Sequence, residues 1–198
     1  MAVAKRNLQI TTPAVGFPVT LEETKVYLRV DIDEDDDLIS AFIESATEQV
    51  QIFTNRQLIT ASFDMFLDGF EPRTCTGAIE IPKGNVQTVD QIQYIDSNGD
   101  NQIWGTSNFE ADTNRQISQF RPANSNAFPS TDDVYNAVTV SFTAGYGLAT
   151  DVPQAVKQSI FLMVSDAYEH REEQSEIKLE NNKTITRLLW NHRLRDFY

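Results

Sequence analysis

The chain of 198 residues has a single cysteine, Cys75, and two histidines, His170 and His192. One cysteine excludes an internal disulfide and any zinc site built on cysteine pairs. A reducing, cytoplasmic site of folding fits that scarcity. No apolar run approaches the roughly 20 residues that cross a bilayer. The opening Met1-Ala-Val-Ala-Lys-Arg-Asn7 has basic residues with no apolar stretch behind them, so it does not read as a secretory signal. Basic residues are also in short supply: 16 Lys and Arg face 29 Asp and Glu, for a net charge of −13. Tight, sequence-reading contact with nucleic acid needs Lys and Arg to neutralise phosphates, and this balance argues against it. An acidic wall that lets a polyanion pass without sticking is compatible with it, and so is plain solubility. There is neither an internal repeat nor a low-complexity tract.

What is present organises into helices, strands and helices again. Residues Met1 to Val19 carry Pro13, Gly16 and Pro18 and no helical period, and read as an extended arm. Thr20 followed by Glu23 is a capping box for a short helix ending near Val30, with Leu21, Thr24 and Leu28 on one face. The acidic run Asp31, Asp33, Glu34, Asp35, Asp36 and Asp37 opens a second helix to about Thr54. Its stripe is Leu38, Ile39, Phe42, Ile43, Ala46, Val50 and Phe53. From Leu58 the period shifts toward two, turn residues multiply, and Asn98-Gly99 between apolar runs marks a hairpin. Ala137 to Thr143 alternates cleanly, and Arg121 to Asp133 reads as a surface loop. After Gly147, Asp151 is the candidate N-cap, Pro153 sits in the first turn and Gln154 completes a box. Val156, Ile160, Met163, Val164 and Ala167 form the stripe of that helix, and Phe161, Leu162 and Tyr168 widen it beyond one packed face. The helix is thus either central in its own domain or buried against a neighbouring subunit; Val156, Ile160, Phe161, Met163, Val164 and Tyr168 are assigned to the subunit interface.

The predicted fold class is α+β: a small helical bundle with an inserted, mostly antiparallel β domain and an extended C-terminal tail. The expected divisions are an arm at 1–19, a helical core at 20–60 and 148–172, a β unit at 61–147, and a linker and docking segment at 173–198.

The search for chemistry returns little. Asp31, Asp33, Asp35 and Asp37 resemble calcium-loop ligands, yet position six is not Gly and Phe42 stands at position twelve, where a bidentate Glu is required. Asp96 to Asp100 fails the same test, with Asn101 at position six and Ser107 at twelve, and reads as a turn. Neither His170 nor His192 has a catalytic setting, and nucleophile-elbow, zincin and Walker patterns are absent. Gly145-Tyr-Gly147 lacks the third glycine of a dinucleotide loop, and a sharp backbone turn explains it. No catalytic residue, metal ligand or cofactor site is assigned.

The C-terminal segment offers more. From Lys183 to Tyr198 four basic residues stand against Asp196 alone. Ile185, Leu188, Leu189, Trp190, Phe197 and Tyr198 interleave with Arg187, Arg193 and Arg195, the composition of an interface hot spot. A final helix folding back on its own domain is the other reading. The polar stretch from Glu172 to Lys183 suits a flexible linker and favours a partner.

The series Leu21-Glu-Glu-Thr-Lys-Val-Tyr-Leu-Arg-Val-Asp31, the acidic run and Thr54-Asn-Arg-Gln-Leu-Ile59 resemble the tailed-phage head–tail connector (adaptor, head-completion) family. So do Phe142-Thr-Ala-Gly-Tyr-Gly147, Asp151 to Ile160, and Tyr168-Glu-His-Arg-Glu172. The resemblance implies helices with an inserted β domain and a dodecameric ring beneath the portal protein that extends the channel for genomic DNA. It implies a tail or next connector (stopper) protein as the partner on the far side, no catalytic residues, and a place at the head–tail junction of the virion. By analogy, the C-terminal segment inserts into the portal. Asp31 to Asp37 would be either channel lining or solvated surface. The competing reading is a DNA-packaging or regulatory factor that binds nucleic acid through its basic tail. A hydrolase with an unfamiliar site is the third.

Overall fold

A computed structural model describes residues 7–72, 74, 77–170 and 183–194. The chain divides into a β unit, residues 1–14 and 60–145, and a helical unit, residues 15–59 and 146–198.

The β unit is built on a five-stranded antiparallel sheet. Its strands are β1 (Asn7–Thr12), β2 (Ala61–Leu67), β4 (Val86–Ile95), β5 (Asn101–Trp104) and β8 (Val138–Ala144). They run in the order β1-β2-β8-β4-β5. A second, three-stranded sheet orders β3 (Ile79–Glu80), β7 (Gln119–Pro122) and β6 (Phe109–Asp112). Alternation sets the faces: Ala61, Phe63 and Met65 of β2 and Val138, Val140, Phe142 and Ala144 of β8 turn inward. The register pairs Phe63 with Phe142, and their rings stack at 5.5 Å. Side chains of both sheets, among them Ile79, Ile81, Ile92, Trp104 and Phe120, complete one apolar core. Burying each such side chain contributes about 1.5–3 kcal/mol. The Asn98-Gly99 hairpin forms, with Gly99 at φ +85°, a conformation glycine adopts without strain.

Two sequence expectations change here. The N-terminal arm contains a strand: β1 pairs with β2 from Asn7↔Phe66 to Thr12↔Ser62. A mostly polar strand with no inward alternation of its own forms because its partner supplies a paired edge. The segment Arg121–Asp133 is not a bare surface loop. It begins inside β7, buries Ala123, and sends Phe128 to stack on Phe70 at 5.0 Å and to lie 5.5 Å from Trp104.

The helical unit contains α1 (Leu21–Leu28), α2 (Asp36–Thr54), α3 (Gln154–Glu169) and α4 (Lys183–Trp190). The Thr20–Glu23 capping box is present in both directions, at 3.1 and 2.9 Å, and Arg29 in the left-handed region ends α1. The start of α3 departs from expectation. Pro153 occupies the N-cap position, and Asp151 accepts the Leu148 N–H at 2.8 Å in the preceding turn. A residue before proline is held out of the helical region, so Val152 stays extended and the helix starts later.

Candidate functional site

The residues singled out by sequence fall mainly in the helical unit, where they separate into structural and exposed sets. At the acidic corner, Lys25 is the organising group. Only 8% exposed, its ammonium reaches Asp33 and Asp36, each at 2.7 Å. The hydrogen bonds to Asp33 and then Asp36 raise the Lys25 pKa well above its ordinary value, and the bond from Lys25 holds the Asp33 carboxyl below its own. The Tyr168 hydroxyl donates to Asp35 at 2.6 Å, tying the end of α3 to the start of α2. Asp33, Asp35 and Asp36 therefore brace the corner, Asp33 from an exposed position, while Asp31, Glu34 and Asp37 are exposed as well. Among the described residues no group of three or more His, Cys, Asp or Glu side chains is placed to hold a metal ion.

The stripe assigned to a subunit interface is mostly internal. Val156, Ile160, Met163 and Val164 are buried, because α2 and α4 pack against α3. That corrects the interface reading for these four: a residue committed to its own core cannot meet a neighbour without unfolding. Phe161 and Tyr168 are half-buried, and Phe161 stacks on Tyr27 at 5.1 Å.

The C-terminal segment folds back in part. Ile185 and Leu189, i and i+4 on α4, are buried in the same core, which corrects their assignment to docking. Beyond α4 the chain ties off the end of α2. The Leu194 N–H donates to the Thr54 carbonyl at 2.8 Å, and Arg56 Nε donates to the His192 carbonyl at 2.6 Å. A helix end leaves carbonyls without intrahelical partners, and Leu194 satisfies one of them. Arg193 lies over the Phe53 ring at 5.2 Å. Burial, then the Arg56 charge, pushes the His192 pKa below its usual value. Arg187, Trp190 and Arg193 are exposed and Leu188 half-buried; Arg195, Phe197 and Tyr198, like the stretch 173–182 read as linker, lie outside the described residues.

The remaining motifs are turns. Asp96 accepts from the Asn98 and Asp100 backbone N–H groups at 2.9 and 3.1 Å, bonds that hold its carboxyl below its ordinary value. Gly147 sits at φ +128°, where L side chains are strained, and a Cβ there would stand 2.5 Å from Asp151 Oδ2 and push that carboxylate off its bond to the Leu148 N–H. His170 lies 3.0 Å from the Asp166 carbonyl at the end of α3. Sequence reasoning missed Lys25 and Arg56. Lys25 is the one cation within α1, set between Glu22 and Glu23 and the acidic run, a usable signal, whereas the partner of Arg56 is 136 residues away and left none.

The described residues thus form a helical core interrupted in sequence by a two-sheet β unit, with an acidic corner and a folded-back basic helix. A family profile described as phage gp6-like head–tail connector protein matches residues 18–121, more than half of the chain. The chain belongs to the phage gp6-like head–tail connector family. Within that family's reach, the head completion protein gp6 of Enterobacteria phage HK97 is 41% identical over 46 residues. That stretch is 23% of this chain and 43% of the HK97 protein, so the chain spans under half the length of this curated relative. Solved structures extend the likeness of fold to almost the whole connector chain. A chain in the neck of the empty gene transfer agent particle, computed with C6 symmetry, superposes with a TM-score of 0.77 at 18% identity, covering 97% of both chains. One in the native gene transfer agent virion gives 0.77 at 18% identity over 96% of this chain and 97% of that one. One in the native neck computed with C12 symmetry gives 0.71 at 18% identity over 97% of both. At that identity the shared property is the fold.

Proposed function

We propose that this connector-family chain is a structural adaptor subunit of a tailed phage or phage-like particle. Copies of it form a ring under the portal, extend the DNA channel and provide the attachment site for the tail or the next connector protein. The chain is not an enzyme on this reading, and it resides at the head–tail junction. The observation that carries it is the conjunction of the family match with a fold shared, end to end, with chains of a particle neck.

Charge supports the same reading. A net charge of −13 keeps duplex DNA from adhering to a passage it must traverse. Asp31, Glu34 and Asp37 are the exposed carboxylates of the corner available for such a wall. Docking to the portal falls to the chain end after α4, where Arg193 leads to Arg195, Phe197 and Tyr198. These combine large apolar area with charge, the chemistry of interface anchors.

The test is complementation of particles that lack the protein. Wild type should restore joining of filled heads to tails, and a chain ending at Leu194 should fold yet fail to attach to portal-bearing heads. Particles that join and keep their genome without the protein would refute the connector reading.

A further inference from the structure

The stripe on α3 is consumed by the chain's own core, so a ring needs other faces. We infer that neighbouring copies meet through α2 of one and α4 of the next, by oppositely charged stripes of matching spacing. This inference rests on the connector reading and names the contact that reading requires.

Along α2 the exposed positions Asp37, Ala41, Glu44 and Glu48 recur at four, three and four residues, one continuous line on the helix. Ile52, 71% exposed, extends it. The opposite side of α2 supplies Ile39, Ile43, Ala46 and Val50 to the core. On α4 the exposed line is Lys183, Arg187 and Trp190, spaced four and three, opposite the buried Ile185 and Leu189; Trp190 is 48% exposed. One stripe is acidic and the other basic, and each ends in a large exposed apolar side chain.

Among the described residues no ion pair engages Glu44, Glu48, Lys183 or Arg187. Lys183 even stands in the first turn of α4, where a cation opposes the helix dipole. A charge placed against the local preference of its helix fits a partner outside the copy.

The stripes match in register. With the helices parallel, Glu44 falls opposite Lys183 and Glu48 opposite Arg187, since a four-residue step advances about 6 Å on either helix; Ile52 and Trp190, four and three residues further on, then lie about 1.5 Å apart along the axis. Both stripes point away from a core the two helices share, so the contact joins unlike faces of successive copies. Such a contact propagates from copy to copy, and closes as a ring when the rotation per copy divides a full turn.

Charge reversal tests this on the full chain, with sedimentation of the protein alone and with its portal as the readout. Glu44→Lys with Glu48→Lys, and separately Lys183→Glu with Arg187→Glu, place like charges at every contact. Each should weaken association about tenfold or more at ~0.1 M salt while unfolding at the wild-type temperature. Mixing the two variants should restore assembly, because an alternating ring again joins opposite charges at both kinds of contact. Association unchanged in both variants, or lost in both and not restored by mixing, overturns the pairing and leaves the connector reading standing. So does a Lys183/Arg187 variant that assembles normally but no longer binds the isolated portal, which would assign α4 to the portal instead. Wild type that assembles neither alone nor on portal-bearing heads overturns the connector reading, and this pairing with it.

Discussion

Truncating Leu189 to alanine isolates what the return of α4 contributes. Leu189 is 0% exposed, next to Ile185 on the buried face of α4, and α4 packs on α3 and α2. Removing its branched end forfeits the transfer energy of the lost carbons and leaves a void that a core enclosed by three helices closes only in part. Leu→Ala in such settings costs about 2–5 kcal/mol. With about 3 kcal/mol as the working figure, a chain of this size should melt about 6–12 °C lower. Trp190→Ala, one residue on and 48% exposed, should lower the melt distinctly less than Leu189→Ala. Thermal and urea unfolding of both variants gives the comparison, and amide exchange at Leu194 reports locally, because its N–H is bonded to Thr54. Equal, negligible shifts for Leu189→Ala and Trp190→Ala would refute the placement of α4 in the core.

Acid should loosen the same segment. The His192 pKa is lowered from 6.5, so between that value and the lowered one the unfolded chain binds the extra proton and stability falls as pH falls. Melts at pH 7.5 and 5.5 should show a loss that His192→Gln abolishes. At the acidic corner the sign is that of a carboxylate: the Lys25–Asp33 contribution is present above the ordinary Asp value of 3.8 and disappears as pH drops through the lowered one. Because the Lys25 pKa is raised, the contribution persists through the alkaline range up to 10.5 and beyond, and Lys25→Met should flatten the acid limb of the stability profile. Gly147→Ala combines a φ of +128° with a Cβ against Asp151, and should cost about 1–3 kcal/mol by urea unfolding. Tyr168→Phe removes one hydrogen bond to the Asp35 carboxylate and should cost about 1.5–3 kcal/mol by the same measurement.

Local signals were legible in the sequence where they suffice to fix structure. Thr20 with Glu23, the apolar spacing from Ile39 to Val50, and the alternation of Val138 to Ala144 each specify an element without reference to the rest of the chain. What sequence could not supply was which of two available partners a surface takes. The wide stripe on α3 looked surplus because α4, which packs on α3, follows after a polar stretch from Glu172 to Lys183, and because Phe161 and Tyr168 find their partners in Tyr27 and Asp35, far back in the chain. β1 was hidden for a related reason: Asn7 to Thr12 become a strand through pairing with β2, fifty or more residues away. Asp31 to Asp37 read as a uniform acidic surface, yet three of its carboxylates are bound to Lys25 and Tyr168, contacts that spacing does not encode. The exposed faces of α2 and α4 carry the plainest assembly chemistry, and their complementarity emerges only once the inward faces are assigned.

The central claim is that copies of this chain encircle a DNA channel between portal and tail. Imaging the purified full-length protein bound to its portal tests it directly. The account predicts a closed ring stacked coaxially beneath the portal, with an open axial hole wide enough for duplex DNA. Single copies scattered on the portal, a ring with no through-channel, or no complex at all would contradict it.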